Sequence, residues 1–147
     1  MKFWDSSAIV PLLVAEQHSS AMTELLDLDR VMVVWWGTPV ECLSAFSRLE
    51  RQGRLSPEEV DEGAGHLRAL EDSWIEIQPT ESLRSRAVRA LGVHGLRAAD
   101  SLQLAAALSW TPDPTEQTSF VCLDRELAGA ARREGFSLPR QAGSLGT

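Results

Sequence analysis

The chain is expected to fold as a single α/β domain of three layers, a mostly parallel central sheet with helices on both faces. Two observations carry this expectation. Short apolar runs that suit strands alternate with longer stretches of helical periodicity, the order that a parallel sheet with crossover helices requires. In addition, Leu96 to Leu108 has nine apolar residues among thirteen and leaves no solvent face on a helical wheel, so it reads as a helix buried inside the domain. Length and composition agree, since 147 residues with 44% hydrophobic and 24% charged side chains suit one domain with its own core.

In chain order, Lys2-Phe3-Trp4-Asp5 is a short apolar strand stopped by an acid, and Ser6 to Leu13 continues as a helix with Pro11 early enough to be tolerated. Asp5, Ser6 and Ser7 are each good helix caps. A second helix from about Ser19 to Asp29 leads to Val31-Met32-Val33-Val34-Trp35-Trp36, an unbroken apolar run suited to a strand covered on both faces. Gly37-Thr38-Pro39 opens the next helix, with Thr38 as hydroxyl cap and Pro39 at the first position. Its apolar stripe is Cys42, Leu43, Ala45, Phe46 and Leu49, and Arg48, Arg51 and Arg54 mark its exposed end. Such a triplet is more often a solvated face than a nucleic-acid groove.

Ser56-Pro57-Glu58-Glu59 is a capping box that starts a helix to about Asp72. Trp74 to Ile77 is a third short strand, Thr80 to Leu91 a helix, and Gly92 to Gly95 a loop into the buried helix. A proline-broken connection, Trp110 to Thr115, precedes a last strand, Ser119 to Asp124, and a helix from Arg125 to Glu134 that Gly135 stops. The domain spans 1–140, and the tail 141–147 is expected to be flexible.

Several function classes are disfavoured. The apolar runs are far shorter than a membrane span, and the opening five residues meet an acid too early for a signal peptide, so no membrane role and a cytoplasmic location are expected. Cys42 and Cys122 form no metal-type pair, and His18, His66 and His94 lack ligand spacing, which disfavours zinc and disulfide frameworks. A net charge of −7 disfavours nucleic-acid binding through bulk positive potential. The charge is polarised, however. Eight acids and only Arg68 lie between Leu55 and Glu81, whereas Arg84, Arg86, Arg89 and Arg97 follow with no acid between them.

The informative pattern is where acids fall. Asp5 and Asp124 each close a strand, Glu41 sits in the first turn of the helix after another, and Asp100 opens the buried helix. Helix capping or dipole compensation explains each alone. Together they place four carboxylates outside the carboxyl ends of parallel strands, where such sheets build their sites. Like charges about 4 Å apart cost on the order of 4 kcal/mol at an effective dielectric of 20, so a cation is expected between them. Oxygen-only ligands favour Mg²⁺ or Mn²⁺, and such ions act on phosphates by acidifying water and stabilising charge on phosphoryl oxygen.

Four segments carry a resemblance: Phe3-Trp4-Asp5-Ser6-Ser7-Ala8, Thr38-Pro39-Val40-Glu41, Leu96 to Leu102 with Asp100, and Phe120 to Ala128 with Asp124. In this order, over nearly the whole chain, they resemble the PIN-domain family, and within it the VapC-type toxin ribonucleases. The resemblance implies a metal-dependent endoribonuclease acting on RNA, held inactive by a small VapB-like antitoxin and often a homodimer. It puts Asp5, Glu41, Asp100 and Asp124 on the catalytic acidic positions. Asp5, Asp100 and Asp124 would hold the metal, while Glu41 completes the charge or orients the attacking water, with a supporting hydroxyl from Ser6 or Ser7. Arg97, beside the acids, is expected either to hold an RNA phosphate or to pair with a carboxylate. One position departs from the family: Cys122 stands where Thr or Ser is common, which bears on the hydrogen bonding around Asp124.

Two other classes compete. A phosphoacceptor receiver domain needs a lysine late in the chain near its acids, and Lys2 is the only lysine. A catalytically inactive PIN-fold module that works by protein binding would use Trp35, Trp36 and Trp74 as interface anchors, whereas core packing is the ordinary use of such residues.

Overall fold

The computed structural model describes residues 1–139; the tail expected to be flexible, 141–147, lies outside them. The elements run β1 (Lys2–Trp4), α1 (Ser6–Leu13), α2 (Ser19–Leu28), β2 (Met32–Trp35), α3 (Thr38–Arg51), α4 (Pro57–Glu71), β3 (Ile75–Ile77), α5 (Glu81–His94), α6 (Ala98–Trp110), β4 (Phe120–Val121) and α7 (Arg125–Arg133). Among the described residues the sheet has the order β3-β2-β1-β4 with every pairing parallel. The chain steps outward from β1 to β2 and β3, then returns to the other side of β1. That reversal leaves a crevice at the carboxyl end of β1, the place where open parallel sheets bind ligands.

Alternation along the strands divides the core into two layers. Phe3, Val33, Trp35 and Phe120 face α5, α6 and α7, whereas Trp4, Met32, Val34 and Val121 face α1 to α4. The three-layer class expected from the alternating pattern is the one observed. Every residue of β2 is buried, as its unbroken apolar run requires. Trp35 and Trp74 are core residues, whereas Trp36 is 52% exposed. No helix among the described residues is long and apolar enough to cross a membrane.

Local expectations fail at four places, each for a physical reason. The loop expected at Gly92 to Gly95 is helix as far as His94, because Leu83, Ala87 and Ala90 keep α5 packed and Gly95, in the left-handed region at φ 64°, makes the stop. Thr38 does not cap α3: its side chain turns inward, fully buried, and Gly37 is the cap residue. In the stripe of α3, Cys42 and Phe46 are buried but Leu43 is exposed. The last strand stops at Val121 rather than Asp124. Its partner β1 is only three residues long, and after Val121 O accepts from Asp5 N there is no extended backbone left to pair with.

Close packing of α1, α3 and α4 depends on Gly63. A Cβ there would stand 2.9 Å from Val14 Cγ1 and 3.1 Å from the buried Phe46 ring. Gly65, two residues further along α4, faces open space except for the tip of Arg68. Glycine to alanine inside a helix ordinarily gains about 1 kcal/mol. G65A is therefore expected to raise the melting temperature by a few degrees. G63A should instead lose about 1 kcal/mol, because overpacking costs about 1–3 kcal/mol and outweighs the propensity gain. Thermal melts of the two variants check the pair, and a stabilised G63A would refute the close approach.

Candidate active site at the carboxyl end of the central strand

The crevice is built from four helix starts. Asp5 leaves β1 and caps α1, Glu41 lies in the first turn of α3, Asp100 in the first turn of α6, and Asp124 caps α7. Backbone N–H groups at a helix start lack partners in their own helix, so each acid sits where partial positive charge is available. Asp124 accepts from Leu127 N at 3.0 Å through Oδ1 and is an ordinary cap in that respect. Asp5 is different. It is 2% exposed, its N–H is tied to Val121 O, and its carboxylate Oδ2 accepts from both the backbone N–H (3.2 Å) and the hydroxyl of Ser7. Its other oxygen, Oδ1, is buried with no hydrogen-bond partner among the described residues.

Glu41 lies within range of the charges of Asp5 and Asp100, and Asp100 within range of those of Asp5 and Asp124. Burial pushes the carboxyl pKa of Asp5 up, against the lowering effect of Ser7 and Cys122. Burial, then the charge of Asp5, pushes Glu41 from 4.5 to about 7, with Ser6 and Gln103 opposing and Asp100 adding a further increment. Asp100 rises from 3.8 to about 6 through burial, then through Asp124 and Asp5, while Arg97 pulls it down. Mutual repulsion of this kind marks a place where carboxylates have been gathered rather than dispersed.

The supporting hydroxyls divide between two acids. Ser6 Oγ donates to Glu41 Oε1 at 3.1 Å, whereas Ser7 serves Asp5 and also accepts from Leu123 N at 2.9 Å, linking α1 to the segment after β4. Arg97 makes no ion pair within 4 Å among the described residues, so the expected pairing is not formed, although its charge reaches Asp100. Cys122 concerns a different acid from the one expected. Its Sγ lies 3.5 Å from Asp5 Oδ2 and 3.3 Å from the Asp124 carbonyl, while the Asp124 carboxylate is held by Leu127. Burial raises the thiol pKa, so Cys122 is a poor nucleophile.

Two residues of the site, Thr38 and Gln103, escape a reading by composition. Gln103 Nε2 donates to Glu41 Oε2 at 3.0 Å and to Thr38 Oγ1 at 3.1 Å, from a fully buried position. A helical wheel puts Gln103 at the rim of α6 beside Asp100. In the fold, the first turn of α6 emerges with Ala98 and Ala99 exposed and Asp100 half-buried, and burial begins at Ser101. The spacing of three between Asp100 and Gln103, which puts both on one side of the helix, was the available signal.

The donor set suits a hard cation by chemistry. It is all carboxylate, mutually repelling, and includes a buried oxygen that nothing among the described residues satisfies. Asp5, Asp100 and Asp124 are the residues able to hold such an ion. Among the described residues, however, no three acids, histidines or cysteines stand close enough together to form a ready-made ligand set. The fit therefore rests on charge and on the free Asp5 oxygen, not on a closed cage.

No protein-family model matches the chain, and no curated protein matches it. Solved structures do match in fold. A toxin–antitoxin complex from Klebsiella pneumoniae is similar at a TM-score of 0.61 over 88% of this chain and 92% of that one, at 12% identity. FitAcB from Neisseria gonorrhoeae is similar at 0.63 over 94% and 96%, at 15% identity. These likenesses cover most of the domain and show its fold, the three-layer α/β arrangement with a parallel central sheet expected from the sequence.

The raised carboxyl pKa values give the protein a definite pH dependence without added metal. Glu41 holds its proton up to about 7 in the folded state and to 4.5 when free, so the folded state binds the extra proton between those values. Its contribution is complete below 4.5 and is lost as pH rises through about 7; Asp100 behaves alike between 3.8 and about 6. The melting temperature in EDTA should fall by several degrees as pH rises across this window, and E41Q should flatten the upper part. A melting temperature that climbs across the window would show that burial and the neighbouring acids do not raise these two carboxyls.

Proposed function

We propose that the protein is a metal-dependent endoribonuclease, the toxin of a toxin–antitoxin pair, using Asp5, Glu41, Asp100 and Asp124. The observation that carries this reading is the buried, unpartnered Oδ1 of Asp5 at the centre of mutually repelling acids. The fold likeness to a toxin–antitoxin complex supports the toxin role and a small antitoxin partner. A cytoplasmic location and a homodimer, both expected from the sequence, belong to the same proposal, and sedimentation of the purified protein tests the dimer.

In this reading Asp5, Asp100 and Asp124 would hold Mg²⁺, with Mn²⁺ as the alternative. The ion would supply charge neutralisation at the phosphoryl oxygens and a more acidic water. The protein's own part centres on Glu41. Ser6 and Gln103 fix its two oxygens, and a carboxyl pKa of about 7 suits a group that takes a proton near neutrality. Water attacks phosphorus and gives its proton to Glu41. The bond to the 3′ oxygen breaks in line, that oxygen takes a proton from solvent, and a 5′ phosphate remains on the other fragment. Arg97, free of a carboxylate partner among the described residues, is positioned to hold an RNA phosphate. The Ser6 hydroxyl and the Gln103 amide act by orienting Glu41.

One observation favours the competing reading of a catalytically inactive protein-binding module, namely the absence of a ready-made three-ligand set among the described residues. Cleavage assays separate the two. RNA cleavage should require Mg²⁺ or Mn²⁺, stop with EDTA, and leave 5′ phosphate and 3′ hydroxyl ends. D5N should lower the rate by about 100-fold or more, the scale of a lost acid–base or ligand group. Cleavage that survives thorough chelation, or 2′,3′-cyclic phosphate products, would refute the mechanism.

The role of Gln103 gives a separate test. Q103L removes the amide that orients Glu41 and should reduce kcat by about 10- to 100-fold, as loss of a supporting hydrogen bond commonly does. Substrate KM should change little, because Gln103 is buried away from the crevice surface. A fall in kcat at constant KM supports the role, whereas full activity in Q103L would remove it.

A further inference from the structure

A cleft of about 570 Å³ runs from the acidic crevice along the groove between α1 and α3. Ser6, Ser7 and Glu41 line one end, Ser44 and Ala45 the middle, and Arg48 and Arg54 the other end. Glu41, Ala45 and Arg48 are four and three residues apart, so they share one face of α3. Seven residues of helix span about 10 Å, which puts the first arginine a nucleotide or two from the acids.

We propose that this cleft is the track of the RNA strand beyond the scissile bond, with Arg48 and Arg54 holding its backbone phosphates. The inference rests on the nuclease reading and adds the surface that grips the substrate. Three features carry it. First, Arg48 and Arg54 are exposed and, like most arginines, make no ion pair within 4 Å among the described residues, so both guanidiniums are available to a phosphate. Second, the other acid on the cleft wall, Glu16, accepts from His18 N at 3.0 Å and pairs with neither arginine within 4 Å among the described residues.

Third, dipole compensation at the end of α3 does not account for which arginines face the cleft. Arg48 and Arg51 both lie in the last turn, yet Arg51 does not line the cleft, while Arg54, beyond the helix, does. Arg54 is held there by its N–H, which donates to Leu49 O at 2.9 Å. A guanidinium without a carboxylate partner, beside a groove that leads to an acidic site, is suited to phosphate. The net charge of −7 means that no general positive field attracts the strand, so these two arginines should carry a large share of the affinity.

The test is binding of a fluorescently labelled oligouridylate to the full chain in EDTA, read by anisotropy across a salt series. R48A/R54A should weaken binding by about tenfold or more and flatten the salt dependence, by about 0.7 in slope for each phosphate no longer neutralised. R51A, at the same helix end but outside the cleft, should bind as the wild type does, and R48K/R54K should recover part of the loss. Circular dichroism melts verify that the variants fold. If R48A/R54A binds like a wild type that cleaves RNA, the track is overturned and the nuclease reading stands. If R51A is as damaging as the double variant, binding follows diffuse charge and the track is likewise overturned. A wild type that holds no oligouridylate overturns the track, and if it also cleaves no RNA the nuclease reading falls with it. A double variant that keeps RNA but loses a protein that copurifies with the wild type would assign the cleft to a protein partner instead.

Discussion

Withdrawing the Asp5 carboxylate from water at the end of β1 disfavours its charge, and hydrogen bonds compensate one oxygen but not the other. A buried ionised oxygen with no partner is unfavourable by several kcal/mol in general, unless a cation or a proton arrives. The fold keeps this arrangement in place from both sides. Asp5 N is tied to β4, its carbonyl accepts from Ala8 and Ile9 in α1, and Trp4 beside it is fully buried. Moving the carboxylate outward would break the strand pairing and the start of α1 together. Burial of Asp5 therefore favours a proton or a cation at this point of the crevice.

The other acids strengthen that preference. Glu41 is held by Ser6 from α1 and Gln103 from α6, so its position is set by two helices that do not share a segment of chain. Both of its oxygens accept hydrogen bonds, which favours its charged form, while burial and then Asp5 oppose it. Asp100 is more exposed; Asp124 and Asp5 repel it and Arg97 attracts it, each more strongly than the further repulsion from Glu126. Ser6 and Gln103 thus fix Glu41 against the repulsion of Asp5 and Asp100, and no three acids, histidines or cysteines among the described residues form a ready-made ligand set. Charge neutralisation at the centre is what would let them approach.

How much of this was legible in the sequence follows the range of the forces involved. Caps and periodicity act over a few residues, and the starts of α1 and α4, the buried β2 and the stop of α7 were readable from them. The placement of the four acids at helix starts was readable from the element pattern, and parallel sheets bring such boundaries together. What could not be read depends on residues distant in the chain. Thr38 was a plausible cap until Gln103, sixty-five residues later, offered its amide. Gln103 itself lies on a wheel rim that the rest of the domain covers. The short β4 is set by the length of β1, which no local pattern around Asp124 reveals.

Cys122 brings these levels together. Judged by its neighbours in sequence, it should affect Asp124, but the chain has already left the sheet at Val121 and turns its thiol toward Asp5 Oδ2. A thiol is a weaker donor than a hydroxyl. The strong donation to Asp5 comes instead from Ser7, whose hydroxyl is itself oriented by Leu123 N, one residue beyond Cys122. A weak side-chain donor from the β4 end is thus compensated by a backbone donor from the same segment, acting through α1. The hydrogen bonding of the central acid is set by the spacing between the ends of β1 and β4. It depends less on the residue at 122 than on the parallel register of Trp4 with Val121.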